Sequence, residues 1–300
     1  MAGGPDPMSA PRISVIIPHY NDPERLDRCL SALEAQSMDR ASYEIIVADN
    51  GSPQGEAALV TLIADRARLV IVPQKGAGPA RNGGVAQARG DILAFTDCDC
   101  LPDPQWLASG VAALDTHDIV GGRMTVCIDH DGPMTGAGAF ETVFAFDNEN
   151  YVRTKGFTVT ANLFCRRTDF EKIGPFRTEL SEDKEWCHRA IAQGYSLGYA
   201  KTAEVAHPAR HDWPELKAKF RRINQESYSY FILSKKYGRL LWLLRSFALP
   251  LSILPHGLKV LTTPKLHRSA DRLSALAILI RQRLWRFAHA WRLLLTDLKG

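Results

Sequence analysis

Short, unbroken apolar runs separated by helix-length segments constrain the fold of this chain more than any other feature. Residues 13–17 are apolar and β-branched and end at Pro18; residues 44–48 form a second run, stopped by Asp49-Asn50-Gly51-Ser52. Residues 69–72 and 91–96 follow, the last leading into Asp97-Cys98-Asp99. Between these runs, residues 22–36 carry Leu26, Leu30 and Leu33 at helical spacing, and residues 56–66 read as a helix. Residues 79–89 start a third helix on a proline, and residues 104–114 read as a fourth. Strands without polar alternation need cover on both faces. The pattern therefore predicts an α/β fold, a Rossmann-like and mostly parallel sheet flanked by helices. Ligands of such sheets bind beyond the carboxyl ends of the strands, and Asp49, Arg81, Asp97 and Asp99 all fall near those ends.

Beyond Val120 the pattern loosens. Residues 121–138 are turn-rich, and residues 140–151 are aromatic and expected to pack on the sheet. A strand is expected over 158–165, a helix over 183–193, one or two strands over 196–205 running to His207, and a helix over 213–233. With 45% hydrophobic and 23% charged residues, the chain is neither disordered nor a disulfide scaffold. Its six cysteines are scattered without a C-x-x-C pair, the usage of reduced thiols in a cytoplasmic protein. Residues 1–11 are rich in Gly, Pro and Ser, lack the apolar core of a signal peptide, and are expected to be disordered.

Charge divides the chain. Residues 235–300 hold 13 Lys and Arg against 2 Asp and Glu, a net of +11, while the other 234 residues hold 24 against 31, a net of −7. Residues 240–258 are apolar but interrupted by Arg245, Pro250, Pro255 and His256, which suits an interfacial or buried segment better than a span. On a helical projection, Leu273, Leu276, Ile280, Leu284, Phe287, Trp291, Leu294, Leu295 and Leu298 gather into one stripe bordered by Arg281, Arg283 and Arg292. That profile, with its charge, predicts residues 240–300 lying on an anionic membrane surface. Docking on the rest of the chain, or on a second copy in a homo-oligomer, is the competing use of the stripe. Nucleic acid is disfavoured, because the cations share the segment with Leu and Trp.

Two carboxylates one residue apart at a strand end, Asp97 and Asp99, suit a hard divalent cation bound with a diphosphate, although the same pair also caps turns. Cys98 and Cys100 make a poor zinc signature. Glu182-Asp183 stands at the start of an amphipathic segment, where helix termini favour acids on their own account.

Taken in order, Pro18-His19-Tyr20-Asn21, Asp49-Asn50-Gly51-Ser52, Gly76-Ala77-Gly78-Pro79-Ala80-Arg81-Asn82, the Phe95–Cys100 segment, Leu180–Trp186 and Ala206-His207-Pro208 resemble an inverting family 2 glycosyltransferase of the GT-A fold. The resemblance covers about residues 12 to 210. Asn50 stands where a second Asp is common, and Lys75 where an Asn often precedes the Gly-rich turn. The resemblance implies that Asp49 accepts the N3–H of a uracil, that Tyr20 stacks on the base, and that Pro18 lends a backbone group. Arg81 would sit near base and diphosphate, Asp97 at the ribose or donor sugar, and Asp99 and His207 on Mg²⁺ or Mn²⁺. Asp183 would be the general base, with Glu182 shaping the site, and Asn162 and Trp186 would lie on the acceptor side. The expected protein transfers a sugar from a UDP-sugar to a hydroxyl of a glycan or lipid-linked acceptor. Its catalytic domain would span residues 12–234 and a basic helical extension residues 235–300, on the cytoplasmic face of a membrane.

Two other classes compete. A haloacid-dehalogenase-like phosphatase also carries D-x-D after a strand, though in such enzymes it is usually the first strand, whereas here it ends the fourth. A catalytically inactive membrane scaffold would have been free to lose Asp99 or Asp183, and both are present. A dinucleotide oxidoreductase would show G-x-G-x-x-G where this chain reads His19-Tyr20-Asn21.

Overall fold

Ile13–His19 (β1), buried along its whole length, is an interior strand of the sheet. A computed structural model describes residues 11–128, 132–177 and 181–297, so all but the last residue of the N-terminal segment, and Leu298 of the expected stripe, lie outside the described residues. Pro23–Glu34 (α1) follows β1, opened by Asp22, whose side chain accepts from the Arg25 N–H. Tyr43–Asp49 (β2), Glu56–Ile63 (α2), Arg68–Ile71 (β3), Ala77–Ala86 (α3), Ile92–Phe95 (β4), Leu101–Pro102 (β5) and Trp106–Ala113 (α4) complete the alternating half. Next come Ile119–Cys127 (β6), Gly136–Phe144 (α5), Asn148–Lys155 (α6), Leu163–Arg166 (β7), Arg167–Ile173 (α7), Glu182–Ala192 (α8) and Leu197–Pro208 (β8). Four helices end the chain: Trp213–Ser234 (α9), Gly238–Leu251 (α10), Ile253–Thr262 (α11) and Ser269–Asp297 (α12).

The eight strands form one sheet in the order β3-β2-β1-β4-β7-β6-β8-β5. Its first four strands are parallel, as the sequence predicts, and β4–β7, β6–β7 and β5–β8 are antiparallel, so the sheet is mixed. Residues alternate between two cores: Ile13, Val15 and Ile17 pack with Leu26, Leu30 and Trp106 on one face, while Ile16, Ile46 and Phe95 pack with Phe170 and Trp186 on the other. The strand expected over 158–165 is shorter, because residues 160–162 form a 3₁₀ turn before β7.

The chain separates into two compact units. The first reaches Thr125 and resumes over Phe146–His207; the second is Val126–Ala145 together with everything from Pro208 onward. The division therefore departs from a boundary at 234. The reason is packing: Leu216 and Phe220 of α9 share a core with Phe140 and Val143 of α5 and Leu279 of α12. Phe140, expected on the sheet, instead has its ring 4.9 Å from Phe144 and 6.1 Å from Phe220. Tyr151 does pack toward the sheet, stacked 4.9 Å from Phe157.

The stripe of α12 also turns out differently. The helix buries Ala275, Leu279, Gln282, Arg286, Ala290 and Leu294, and leaves Leu273, Leu284 and Leu295 at least half exposed. The inward face therefore mixes Ala and Leu with Gln282 and Arg286, and part of the apolar stripe faces outward. Residues 238–262 form a mostly exposed helical run that is long and apolar enough, by length and composition, to cross a membrane.

Candidate active site

The ends of β1 and β2 are locked by one buried network. His19 Nε2 accepts the backbone N–H of Asp22 at 3.2 Å, so the neutral ring carries its proton on Nδ1 and donates to Asp49 Oδ1 at 2.8 Å. Ser52 Oγ donates to the same oxygen at 2.5 Å, and Oδ2 accepts the N–H groups of Gly51 and Ser52 at 3.0 and 2.9 Å. Burial pushes the Asp49 carboxyl up, but the Ser52 and His19 hydrogen bonds outweigh it and hold it below its usual value. Four donors fill a carboxylate's acceptor sites. The expected use of Asp49 as direct acceptor for a base therefore needs one of these bonds to open. His19 and Ser52 are the residues the sequence reading missed, although both stand inside the quoted motifs.

Asn50 explains its own departure from Asp. Its amide donates to the carbonyls of Val72 and Gln74 at 2.9 and 2.6 Å, while its oxygen accepts from the Gly76 N–H at 2.6 Å. A carboxylate has no donor for those carbonyls. Lys75 Nζ donates to the Asn50 carbonyl at 2.6 Å and stands 4.9 Å from the ring centroid of Tyr20, which is 57% exposed. An open aromatic face beside a cation is thus fixed at the end of β1, next to buried Pro18.

Arg81 is the hub. It is 3% exposed, donates from Nη2 to Asp97 Oδ1 at 2.5 Å, and donates from Nη1 to Glu182 Oε1. Burial opposes its charge, and the two carboxylates more than restore it. A Cβ at Gly78 on the same helix would stand 2.6 Å from Glu182 Oε2, so a side chain there would displace the end of Glu182 from this approach. One guanidinium thereby joins the end of β4 to the start of α8.

The pairing of Leu101 with Ala206 brings the β4–β5 turn beside the end of β8. Asp99 Oδ2 consequently lies 3.2 Å from His207 Nε2, and the ligand atoms of Asp97, Asp99 and Cys100 lie within 4.8 Å of one another. Burial first, then the charges of Asp99 and Asp97, push the Cys98 and Cys100 thiols well above their ordinary value. Carboxylates and an imidazole beside protonated thiols make a donor set for a hard divalent cation rather than a soft one.

Asp183 lies in the first turn of α8, where the helix terminus favours its charge. Its Oδ1 accepts from Ser181 Oγ at 2.9 Å and from the Lys184 N–H at 2.7 Å; its Oδ2 makes no hydrogen bond among the described residues. Two expected acceptor residues are corrected. Asn162 is fully buried, accepts from Trp106 Nε1 at 3.0 Å and donates to the carbonyls of Arg123 and Ala203, each at 2.9 Å, so it clamps strands together. Trp186 is fully buried, stacks on Phe170 at 5.5 Å and donates to the Gly174 carbonyl, so it belongs to the core.

The mixed sheet, with paired acids just past the end of the parallel strand β4, fits the GT-A fold that the sequence motifs imply. The model of the family described as glycosyl transferase family 2 matches residues 14–174. The chain is 34% identical over 249 residues to the glycosyltransferase AglE of Haloferax volcanii, covering 79% of this chain and 81% of that one. Among solved structures, it resembles the mannosyltransferase PcManGT of Pyrobaculum calidifontis, in complex with GDP-Man and Mn²⁺, with TM-score 0.60 and 20% identity over 98% of this chain and 90% of the other. It also resembles S. aureus TarS residues 1–349 in complex with UDP-GlcNAc, with TM-score 0.53 and 18% identity over 93% of this chain and 89% of that one. The chain belongs to glycosyl transferase family 2.

Proposed function

We propose that the protein moves a sugar from a nucleotide-diphosphate donor, a UDP-sugar, to a hydroxyl of a glycan or lipid-linked acceptor, with inversion at the anomeric carbon. The observation that supports this reading is the Arg81 bridge, which pairs with Asp97 on one side and Glu182 on the other. Tyr20 offers the nucleotide base an open ring, and Lys75 beside it a positive charge. Asp99 and His207, with Asp97, would hold Mg²⁺ or Mn²⁺. When bound there, the ion supplies Lewis-acid relief of the charge gathering on the leaving diphosphate. Asp183 takes the acceptor proton through Oδ2, which makes no hydrogen bond among the described residues, as the acceptor oxygen attacks, and Glu182 keeps Arg81 in place. This is a single displacement with no covalent glycosyl-enzyme.

The test is a calorimetric panel of UDP-, GDP-, dTDP- and CMP-sugars with and without Mn²⁺. The UDP-sugars should bind tightest and need the metal, and a UDP-sugar set with no response removes the proposal. Asp99→Ala should weaken Mn²⁺-dependent UDP binding by about ten-fold or more. Unchanged affinity in Mn²⁺ would sink the metal role.

The same proposal places the helices over 240–300 on an anionic membrane surface. Leu254 and Leu251 are 80% and 72% exposed, and Leu244, Leu258 and Phe247 stand out beside them. So many neighbouring apolar side chains on one helical run mark an interaction surface, and the net charge of +11 over residues 235–300 selects anionic lipid. Replacing Leu251, Leu254 and Leu258 with Gln should remove about 1.5–3 kcal/mol of apolar transfer per side chain. Flotation with phosphatidylglycerol vesicles should be lost while UDP binding persists. Self-association of the unaltered protein without vesicle binding would reject a membrane in favour of a second copy.

A further inference from the structure

The second unit draws three cations into its helical packing, Arg286 buried and Arg245 and Arg283 half-buried. Gln282 and Asn224 are fully buried and Arg286 is 8% exposed. Gln282, Arg283 and Arg286 share adjoining turns of α12, and α10, which packs on α12, supplies Arg245. Among the described residues, no carboxylate pairs with any of these three guanidinium groups. Their contacts are neutral instead. Arg286 Nε donates to Asn224 Oδ1 at 2.8 Å, Arg283 Nη2 meets His256 Nδ1 at 3.3 Å, and the Arg245 guanidinium stands 4.9 Å from the Trp242 ring centroid. Arg245 Nη1, Arg283 Nε and both amide atoms of Gln282 are buried and have no hydrogen-bond partner among the described residues.

Burial first, then the charges of Arg245 and Arg283, push the Arg286 guanidinium down to about 9. The Arg283 guanidinium is lowered for the same two reasons, burial and the Arg245 charge. Water can accept from the unpaired N–H groups, but it cannot offset three like charges. An anion does both. The guanidinium fork matches phosphate oxygens in pairs, and three cations suit a group of more than one negative charge. The surroundings specify the rest of the ligand: Leu244 beside Arg245 and Leu284 beside Arg283 are 59% and 50% exposed. Phe247 reaches across to Phe287 and Trp291, with ring centroids 5.6 and 5.7 Å away.

We propose that Arg245, Arg283 and Arg286, with Gln282, form a binding site for the phosphate of a monoester whose alkyl chain lies along the exposed leucines of α10 and α12. The site stands on the second unit alone and does not rest on the transferase reading. The shared chemistry is phosphate, whether on an amphiphile or free in solution.

The full-length protein is titrated calorimetrically with octyl phosphate below its critical micelle concentration, with inorganic phosphate, and with octanol. Octyl phosphate should bind about ten-fold more tightly than inorganic phosphate, and octanol should give no signal. Arg245→Gln and Arg283→Gln should each weaken octyl phosphate binding about ten-fold, and Arg283→Lys should lose less. Equal affinity for inorganic and octyl phosphate, lost together in these variants, would keep the site and assign it to free phosphate. Melting of the unaltered protein in octyl phosphate against octyltrimethylammonium, at matched concentration, makes the test independent of whether the variants fold. Absence of a higher melting temperature in octyl phosphate overturns the proposal, as does undiminished binding by both Gln variants.

Discussion

Asp183→Asn should lower the turnover of sugar transfer by about 10³-fold while leaving UDP-sugar affinity within a few-fold. Asn keeps the size of Asp and an oxygen able to accept from Ser181 Oγ and the Lys184 N–H, the two bonds that fix this side chain. It loses only the capacity to take a proton at Oδ2, the atom without a hydrogen bond among the described residues. The variant therefore separates chemistry from positioning, which Asp183→Ala would not do. Glu182→Gln makes the contrast, because Glu182 is tied to Arg81, and its loss should disturb donor binding as well as turnover. Single-turnover kinetics with a saturating UDP-sugar reads the first effect, and calorimetry the second. Near-normal turnover of Asp183→Asn would remove the general-base assignment.

The parts of this molecule that follow a local rule were legible in the sequence. Continuous apolar runs must be covered on both faces, and β1, β2 and β4 are buried along nearly their whole lengths. The carboxyl ends of those strands hold Asp49 and Asp97, as a parallel sheet requires. Side-chain direction was not legible. Asn162 and Trp186 occupy positions that a motif assigns to an acceptor. The 3₁₀ turn before β7 and the packing of α8 on Phe170 point both inward. Asp49 sits where expected, but its acceptors are filled by His19 and Ser52, residues whose partnership needs β1 and β2 in register. The tail teaches the same lesson. A stripe of Leu and Trp predicts which face of α12 is apolar, whereas the packed helix turns Ala275, Leu279, Gln282, Arg286 and Ala290 inward. The second unit also joins residues 126–145 to the last third of the chain, a long-range pairing that no local pattern announces.

Arg81→Met should damage stability and activity together, and its size follows from what the side chain leaves behind. Methionine fills most of the space of the aliphatic stem, so the loss is of charge and of the two-pronged contact rather than of packing. Asp97 and Glu182 would then face each other without a cation, 31% and 23% exposed. Breaking a fully buried pair costs about 3–5 kcal/mol; partial solvation of both carboxylates places this case near the lower figure, about 3 kcal/mol. At about 2–4 °C per kcal/mol for a domain of this size, the melting temperature should fall by roughly 6–12 °C. Removing the counter-charge from Asp97 also frees that carboxylate to move, so Mn²⁺-dependent UDP binding should weaken in parallel. Arg81→Lys separates the two contributions: it restores a positive charge but cannot donate to both acids in the plane of a guanidinium. It should recover most of the stability and little of the activity. A Lys variant that regains full transfer would mean that Arg81 acts only as a charge, and the geometric link between the β4 turn and α8 would lose its role. An Arg81→Met protein melting within about 1 °C of the unaltered chain would show that the two acids tolerate each other without it.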